Sequence, residues 1–298
     1  MMSPSSIQEA APSPLRRALL LGLAVVAISF AAIFFKKAAP THPLVAAAVR
    51  LLLTAGMLLP LVVRARLSGR LPNRVLGPAI LAGVCYAVHF GSWVSSLTLT
   101  SVAASVTLVT ATPLLLCVAS ILTGRDRPDG RLWGALGLAV IGILLIGSDQ
   151  GSAEAGLGNA LALLGAAAMA VYMWVARGLG EALDPLAFTG VAAGVGALIL
   201  VSVAWISGVP LEVTSLEAFG FIALTAIVPQ LIGHTLLTWS LRHMSPVTVG
   251  IATLGEAAGA SALAWLWFGE SITGMVFLGC GVTLAGIALA VLRRSPTR

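Results

Sequence analysis

The sequence predicts an all-α integral membrane protein: ten transmembrane helices as two inverted five-helix repeats, with both termini cytoplasmic. Three observations predict it. Hydrophobic residues make up 58% of the chain and charged residues 9%, against roughly 45–50% and 25% in soluble domains. The apolar residues gather in ten runs near the roughly 20 residues that cross a bilayer as a helix. The basic residues between those runs alternate by side. The runs are solidly apolar and lack ten-residue alternation, which excludes a β-barrel.

The first run, roughly 18–36, follows Arg16 and Arg17 and ends at Lys36 and Lys37. Its start is like a signal peptide, but the apolar stretch is too long and lysines stand where small cleavage-site residues belong. It reads as an uncleaved helix. The arginine pair lacks the surroundings of a twin-arginine signal and reads as an orientation signal. Residues 1–14, with Ser, Pro, Gln and Glu, read as a disordered tail. The second run, 43–63, opens at Pro43 and carries Arg50. The third, 75–98, carries His89, and the fourth, 101–122, carries Thr107, Thr110 and a kink-forming Pro113. The fifth, 131–147, holds Gly137 and Gly142, and the sixth, 158–176, ends near Trp174. The seventh, 185–206, opens at Pro185, and the eighth, 216–240, holds Pro229 and His234. The ninth, 245–267, carries Glu256, and the tenth, 271–292, holds Gly281 and Gly286. Connections are short and leave no room for a soluble domain.

The basic residues fix orientation. Arg16 and Arg17 precede the first run. Arg64, Arg66, Arg70 and Arg74 fill the second connection, Arg125, Arg127 and Arg131 the fourth, Arg177 the sixth and Arg242 the eighth. Arg293, Arg294 and Arg298 follow the last run. These are 14 of the 17 basic residues; the odd connections hold only Lys36 and Lys37, and Arg50 lies within a helix. The positive-inside rule puts the side with 14 in the cytoplasm. The net charge of +6 therefore reports orientation, and no aromatic-interleaved basic patch suggests nucleic acid.

The halves repeat. An offset of 144 pairs Asp126 with Glu270, Gly137 with Gly281 and Gly142 with Gly286. An offset of 145 pairs His89 with His234 and Thr100-Ser101-Val102 with Ser245-Pro246-Val247; one of 142 pairs Pro43-Leu44 with Pro185-Leu186. The expected units are 15–148 and 157–292. Five is odd, so the second unit enters from the opposite side, the inverted arrangement many secondary transporters use for alternating access.

A charge inside a membrane helix costs about 2.5–3.5 kcal/mol on insertion scales, so each one needs an explanation. Glu256 lies 11 residues from both Ser245 and Trp267, too deep to snorkel at 1.5 Å per residue. Its face carries Ala252, Thr253, Gly259 and Ala260, which allow close approach of a helix or a substrate. It reads as a carboxylate that binds a substrate amine or takes up a proton, with a structural pairing as the plain alternative. His89 shares a stripe with Tyr86, Trp93 and Ser96, and His234 shares one with Gln230 and Thr238, beside the break expected at Pro229. Their matching positions favour a cavity-lining role over simple packing. Thr107 and Thr110 form a polar stripe on the fourth helix, where hydroxyls also commonly bond back to their own backbone. Arg50, about six residues into its helix, reads first as a residue snorkelling outward or pairing with a surface carboxylate. The alternative is a charge anchor for an anionic group. Cys85, Cys117 and Cys280 read as packing residues. Neither they nor the histidines have metal-ligand spacing, so no metal or other cofactor is expected.

Three segments carry a family resemblance. Pro43-Leu-Val-Ala-Ala-Ala-Val-Arg50-Leu-Leu-Leu, Thr112-Pro113-Leu-Leu-Leu-Cys-Val-Ala-Ser and Glu256-Ala-Ala-Gly-Ala-Ser-Ala-Leu-Ala-Trp265-Leu-Trp-Phe-Gly269-Glu270 resemble the second, fourth and ninth helices of EamA-type transporters of the drug/metabolite transporter superfamily. Ala257 stands where that family usually has Pro, Gly124-Arg125-Asp126 replaces its first Gly-Glu, and the first helix lacks its common Trp. The resemblance implies a secondary transporter in a bacterial inner membrane, acting as monomer or homodimer on a small-molecule substrate, with protons as a candidate coupling ion. Members include exporters of amino acids and related zwitterions and carriers of other metabolites, such as vitamins, nucleotide-like compounds and drugs. A multipass membrane enzyme would need clustered His/Asp or paired carboxylates near a membrane face, and those are missing. No phosphate-cradling loop supports ATP-driven transport by this chain alone.

Overall fold

The computed structural model describes residues 12–122, 130–149, 153–244, 249, 252–270 and 272–291, and their secondary structure is entirely helical. Gly124-Arg125-Asp126, Ser245-Pro246-Val247, residues 1–11 of the expected tail and the last three arginines lie outside the described residues.

The helices are α1 (Pro14–Ser29), α2 (Ala31–Lys37), α3 (Pro43–Leu67), α4 (Asn73–Ser96), α5 (Val102–Val109), α6 (Thr112–Leu122), α7 (Gly130–Asp149) and α8 (Ala153–Leu179). After them come α9 (Pro185–Ile206), α10 (Leu216–Thr225), a π-helical stretch (Ala226–His234), α11 (Thr235–His243), α12 (Leu254–Phe268) and α13 (Gly274–Val291). Among the described residues six stretches are long and apolar enough to cross a membrane: Pro14–Lys37, Pro43–Leu67, Asn73–Ser96, Ala153–Ala182, Pro185–Ile206 and Leu216–His243. Val102–Leu116, Trp133–Gly142 and Gly274–Gly286 are shorter apolar helices.

Local chemistry sets the ends. Ser101, Asp184 and Ser215 cap α5, α9 and α10 by accepting the backbone N–H groups of Ala104, Ala187 and Ala218 at 3.0–3.2 Å. Gly269 closes α12 at φ 62°, a left-handed conformation that favours glycine. Pro229 lies inside the π-helical stretch. It has no N–H to give and its ring crowds the carbonyl one turn back, so the normal ladder cannot continue through it.

Three helix pairs make the most extensive contacts: α7 with α13, α3 with α9, and α4 with α8. The first pair is reciprocal. A Cβ on Gly142 would meet Thr283 and the Gly279 carbonyl, and one on Gly286 would meet the Ala139 nitrogen and the Ala135 carbonyl. Adding 144 to Ala135, Ala139 and Gly142 gives Gly279, Thr283 and Gly286. Each repeat-mate therefore occupies the other's environment, the pattern of a two-fold relation. Helix α1 lies against the second half: Gly233 approaches Ile28, Gly255 approaches Val25, and Gly259 approaches Ser29.

Bonds between the connections form two sets. Lys36 pairs with Glu270 at 3.1 Å, Glu270 also accepts the Val102 N–H at 2.7 Å, Thr41 bonds Thr214 and Thr100 bonds Asn159. Arg70 pairs with Asp184 at 3.0 Å, while Arg17 and Arg177 donate to the carbonyls of His243 and Leu241. The first set joins odd connections and the second joins even ones with the N-terminal segment. Outward faces carry exposed Leu19, Leu59, Leu198, Trp205 and Phe277, the surface that lipid covers.

Candidate functional site

The centre of the bundle holds a cavity of about 30 Å³. Helix α4 contributes His89 and Trp93, the break between α5 and α6 contributes Thr110 and Thr112, and α8 contributes Met169 and Met173. His234 comes from the end of the π-helical stretch, and Thr253 and Glu256 from the start of α12. That volume suits a water or two, against roughly 300 Å³ or more for a small-molecule site. Anything larger than water enters only if the surrounding helices part.

Each polar side chain has a definable position. Nδ1 of His89 lies 2.9 Å from the Gly165 carbonyl. A carbonyl only accepts, so Nδ1 carries a proton and donates it to Gly165. The His89 ring stacks on Trp93 at 5.9 Å and meets Phe90 edge-on at 4.5 Å. His234, its repeat-mate, approaches Phe90 at 5.4 Å and Tyr86 at 6.1 Å. Tyr86 stacks on Tyr172 at 4.5 Å, and the Tyr172 hydroxyl lies 2.7 Å from Oγ1 of Thr238. Glu256 faces the cavity from the first turn of α12, which Gly255 and Gly259 bring close to α1.

Arg50 departs from the snorkelling expectation. It has 0% exposure, and its Nη2 donates to Oε1 of Gln230 at 2.7 Å. Its guanidinium lies 4.1 Å over the Phe90 ring and 5.4 Å over Phe35. The side chain turns inward because Gln230, 180 positions on, supplies an acceptor at that depth.

The structure brings Glu256, His89, His234, Trp93 and Thr110 to one cavity, with Tyr86, Gln230 and Arg50 packed behind its wall. Thr107 points elsewhere: it donates to the Cys280 sulfur at 3.1 Å and lines a separate cleft of about 470 Å³ with Ser261 and Trp265. Thr253, on the face expected beside Glu256, belongs to the centre, and so do Met169, Met173, Tyr172 and Thr112, which sequence does not single out because an apolar position in an apolar helix carries no mark of facing inward. Larger recesses lie away from the centre. One of about 730 Å³ is lined by Lys36, Thr41, Thr98 and Phe268, and one of about 520 Å³ by Arg70, Arg74, Asp184 and Arg242.

Comparison with known proteins adds identity to this geometry. No curated protein matches the chain. A solved crystal structure, 16% identical over 94% of this chain and 98% of its own, superposes with a TM-score of 0.66 and so shares the fold. The model of the EamA-like transporter family matches twice, at residues 15–148 and 156–292. A match over both halves of the sequence, on an all-helical membrane fold with a polar central cavity, establishes that the chain belongs to the EamA-like transporter family.

Proposed function

We propose that the protein is a secondary transporter that exports an amino acid or related zwitterion across a bacterial inner membrane by alternating access. The observation that carries this reading is the central cavity itself. A carboxylate from the ninth helical segment meets repeat-related histidines from the third and eighth, at the interface of the halves where transporters of repeated architecture hold their cargo. In the proposed cycle Glu256 takes the substrate ammonium, or exchanges it for a proton, and the aromatic and methionine walls accept an apolar side chain.

The repeats run in opposite senses in this reading, with both termini cytoplasmic. The two sets of bonds between connections support it, because the set with Arg17, Arg70 and Arg177 is the arginine-rich one. The cytoplasmic recess is then the one lined by Arg70 and Arg242, and the outer recess the one lined by Lys36.

The test is counterflow of labelled neutral and aromatic amino acids in proteoliposomes, wild type beside Glu256→Gln. Exchange in the wild type that fails in the variant supports both the cargo class and the role of Glu256. Absence of exchange from folded wild-type protein overturns the amino-acid reading and turns the search to vitamins, nucleotide-like metabolites and drugs.

A further inference from the structure

Arg50 is a fully buried cation whose compensation is incomplete. One N–H of Nη2 bonds Gln230, and the Phe90 and Phe35 rings cover part of the guanidinium. Its Nε and Nη1 have no hydrogen-bond partner. Among the described residues the carboxylates in ion pairs are Asp184 and Glu270, both at the ends of the bundle, and neither pairs with Arg50. Glu256 makes no ion pair with it. Nε1 of Trp93, a donor on the cavity wall, is also buried without an acceptor.

These donors lie around one aromatic ring. Phe90 lies 4.1 Å under the guanidinium, 6.5 Å from Trp93, 4.5 Å from His89 and 5.4 Å from His234. Phe90 thus touches both Arg50 and the wall, so the guanidinium lies one side chain from the cavity. The neighbourhood holds unpartnered N–H donors and a guanidinium with no carboxylate paired to it. Parting the helices enough to admit any metabolite enlarges the cavity that Trp93, His89 and Glu256 line.

We propose that Arg50 is the anchor for a substrate carboxylate, taken through the unpartnered Nε or Nη1 together with the second N–H of Nη2, while Glu256 takes the ammonium. This rests on the carrier reading above and adds a selectivity rule to it: the cargo has a free carboxylate and a free amine. One cation facing one anion matches a zwitterion. A dianion such as a phosphate monoester brings surplus negative charge toward Glu256, and an amine without a carboxylate leaves Arg50 uncompensated in the membrane interior. Guanidinium suits this task because its planar array of donors matches a carboxylate. Gln230 holds the guanidinium and is a positioning residue.

The experiment uses the full chain in proteoliposomes, with labelled L-leucine and L-phenylalanine competed by the same amino acids, by their amides and by phenethylamine. The wild type is expected to show competition by the amides and the amine at least tenfold weaker than by the amino acids. In Arg50→Gln the apparent KM for the amino acids rises at least tenfold while amide competition is unchanged. Arg50→Lys, which keeps the charge and loses the planar array, falls between. Equal competition by amino acid and amide in the wild type overturns the anchor, as does a variant that weakens both alike. The wild-type comparison stands even where a variant does not fold. Exchange without discrimination overturns the anchor alone, whereas no amino-acid exchange at all overturns the amino-acid reading and the anchor with it.

Discussion

His89 and His234, 145 positions apart in sequence, bring their rings to 6.3 Å at an angle of 71° in the middle of the bundle. They also share Phe90 as a neighbour. His89 is additionally held by Gly165, so His89→Ala is expected to lower stability more than His234→Ala, by about 1–2 kcal/mol for a buried hydrogen bond with its packing. Residues in contact couple, so the double variant is expected to depart from additivity by 0.5 kcal/mol or more, on the order seen for neighbouring pairs. Thermal unfolding of the four proteins in detergent measures this, and strict additivity would show that the rings act separately.

Glu270 bonds two elements, the end of α2 through Lys36 and the start of α5 through the Val102 N–H. The side chains of Lys36 and Glu270 are 30% and 17% exposed, so water screens the ion pair and Lys36→Ala is expected to cost less than about 1 kcal/mol. Glu270→Ala also strips an acceptor from an unsatisfied N–H in the first turn of α5, and is expected to cost more. Melting temperatures compare the two. Maleimide labelling of a cysteine at Thr98, which lines the adjacent recess, is expected to speed up in Glu270→Ala and to change little in Lys36→Ala.

Gly142 and Gly286 lie at the contact of α7 and α13, whereas a Cβ on Gly137 or Gly281 would meet nothing within 4 Å. Gly142→Val and Gly286→Val are each expected to destabilise by about 1–3 kcal/mol through overpacking. Gly137→Val and Gly281→Val are expected to leave unfolding within about 0.5 kcal/mol of the parent. A chemical denaturation series reads all four, and equal losses at all sites would contradict the packing described for Gly142 and Gly286.

Pro229→Ala restores a backbone donor inside the π-helical stretch and lets the ladder close toward ordinary α geometry. That rotates Gln230 and His234, which follow within five residues, away from Arg50 and the cavity. The melting temperature is expected to hold or rise, while counterflow falls at least fivefold. Unchanged counterflow at unchanged stability would show that the wide turn does not serve transport.

Much of this is legible in the sequence. Glu256, His89 and His234 stand out because an ionisable group in an apolar run is expensive, and sequence shows that expense directly. Their matched positions favour a shared lining role; that the rings approach to 6.3 Å is what the structure adds, because repeat-mates meet only when both lie near the relating axis. Arg50 was seen but turned the wrong way: depth along a helix does not tell where a long side chain goes when its acceptor is on a distant segment. Thr107 and Thr110 are three apart and would share a face on an unbroken helix. The break at Thr110–Ala111 ends α5 there, and the two hydroxyls serve different cavities. Met169, Met173 and Tyr172 carry no sequence mark, because facing lipid or facing a cavity leaves the same apolar letters.

Helix α1 leans on Gly233, Gly255 and Gly259, all from the second half. During synthesis its natural neighbours do not exist until most of the chain has left the ribosome. The first helix must therefore wait in the bilayer, held by lipid and provisional contacts, until the eighth and ninth segments arrive to clasp it. The halves are units of sequence and not units of assembly. A fragment ending in the short link between them would insert its helices and still lack a seat for the first, and only co-expression with the missing half would supply one.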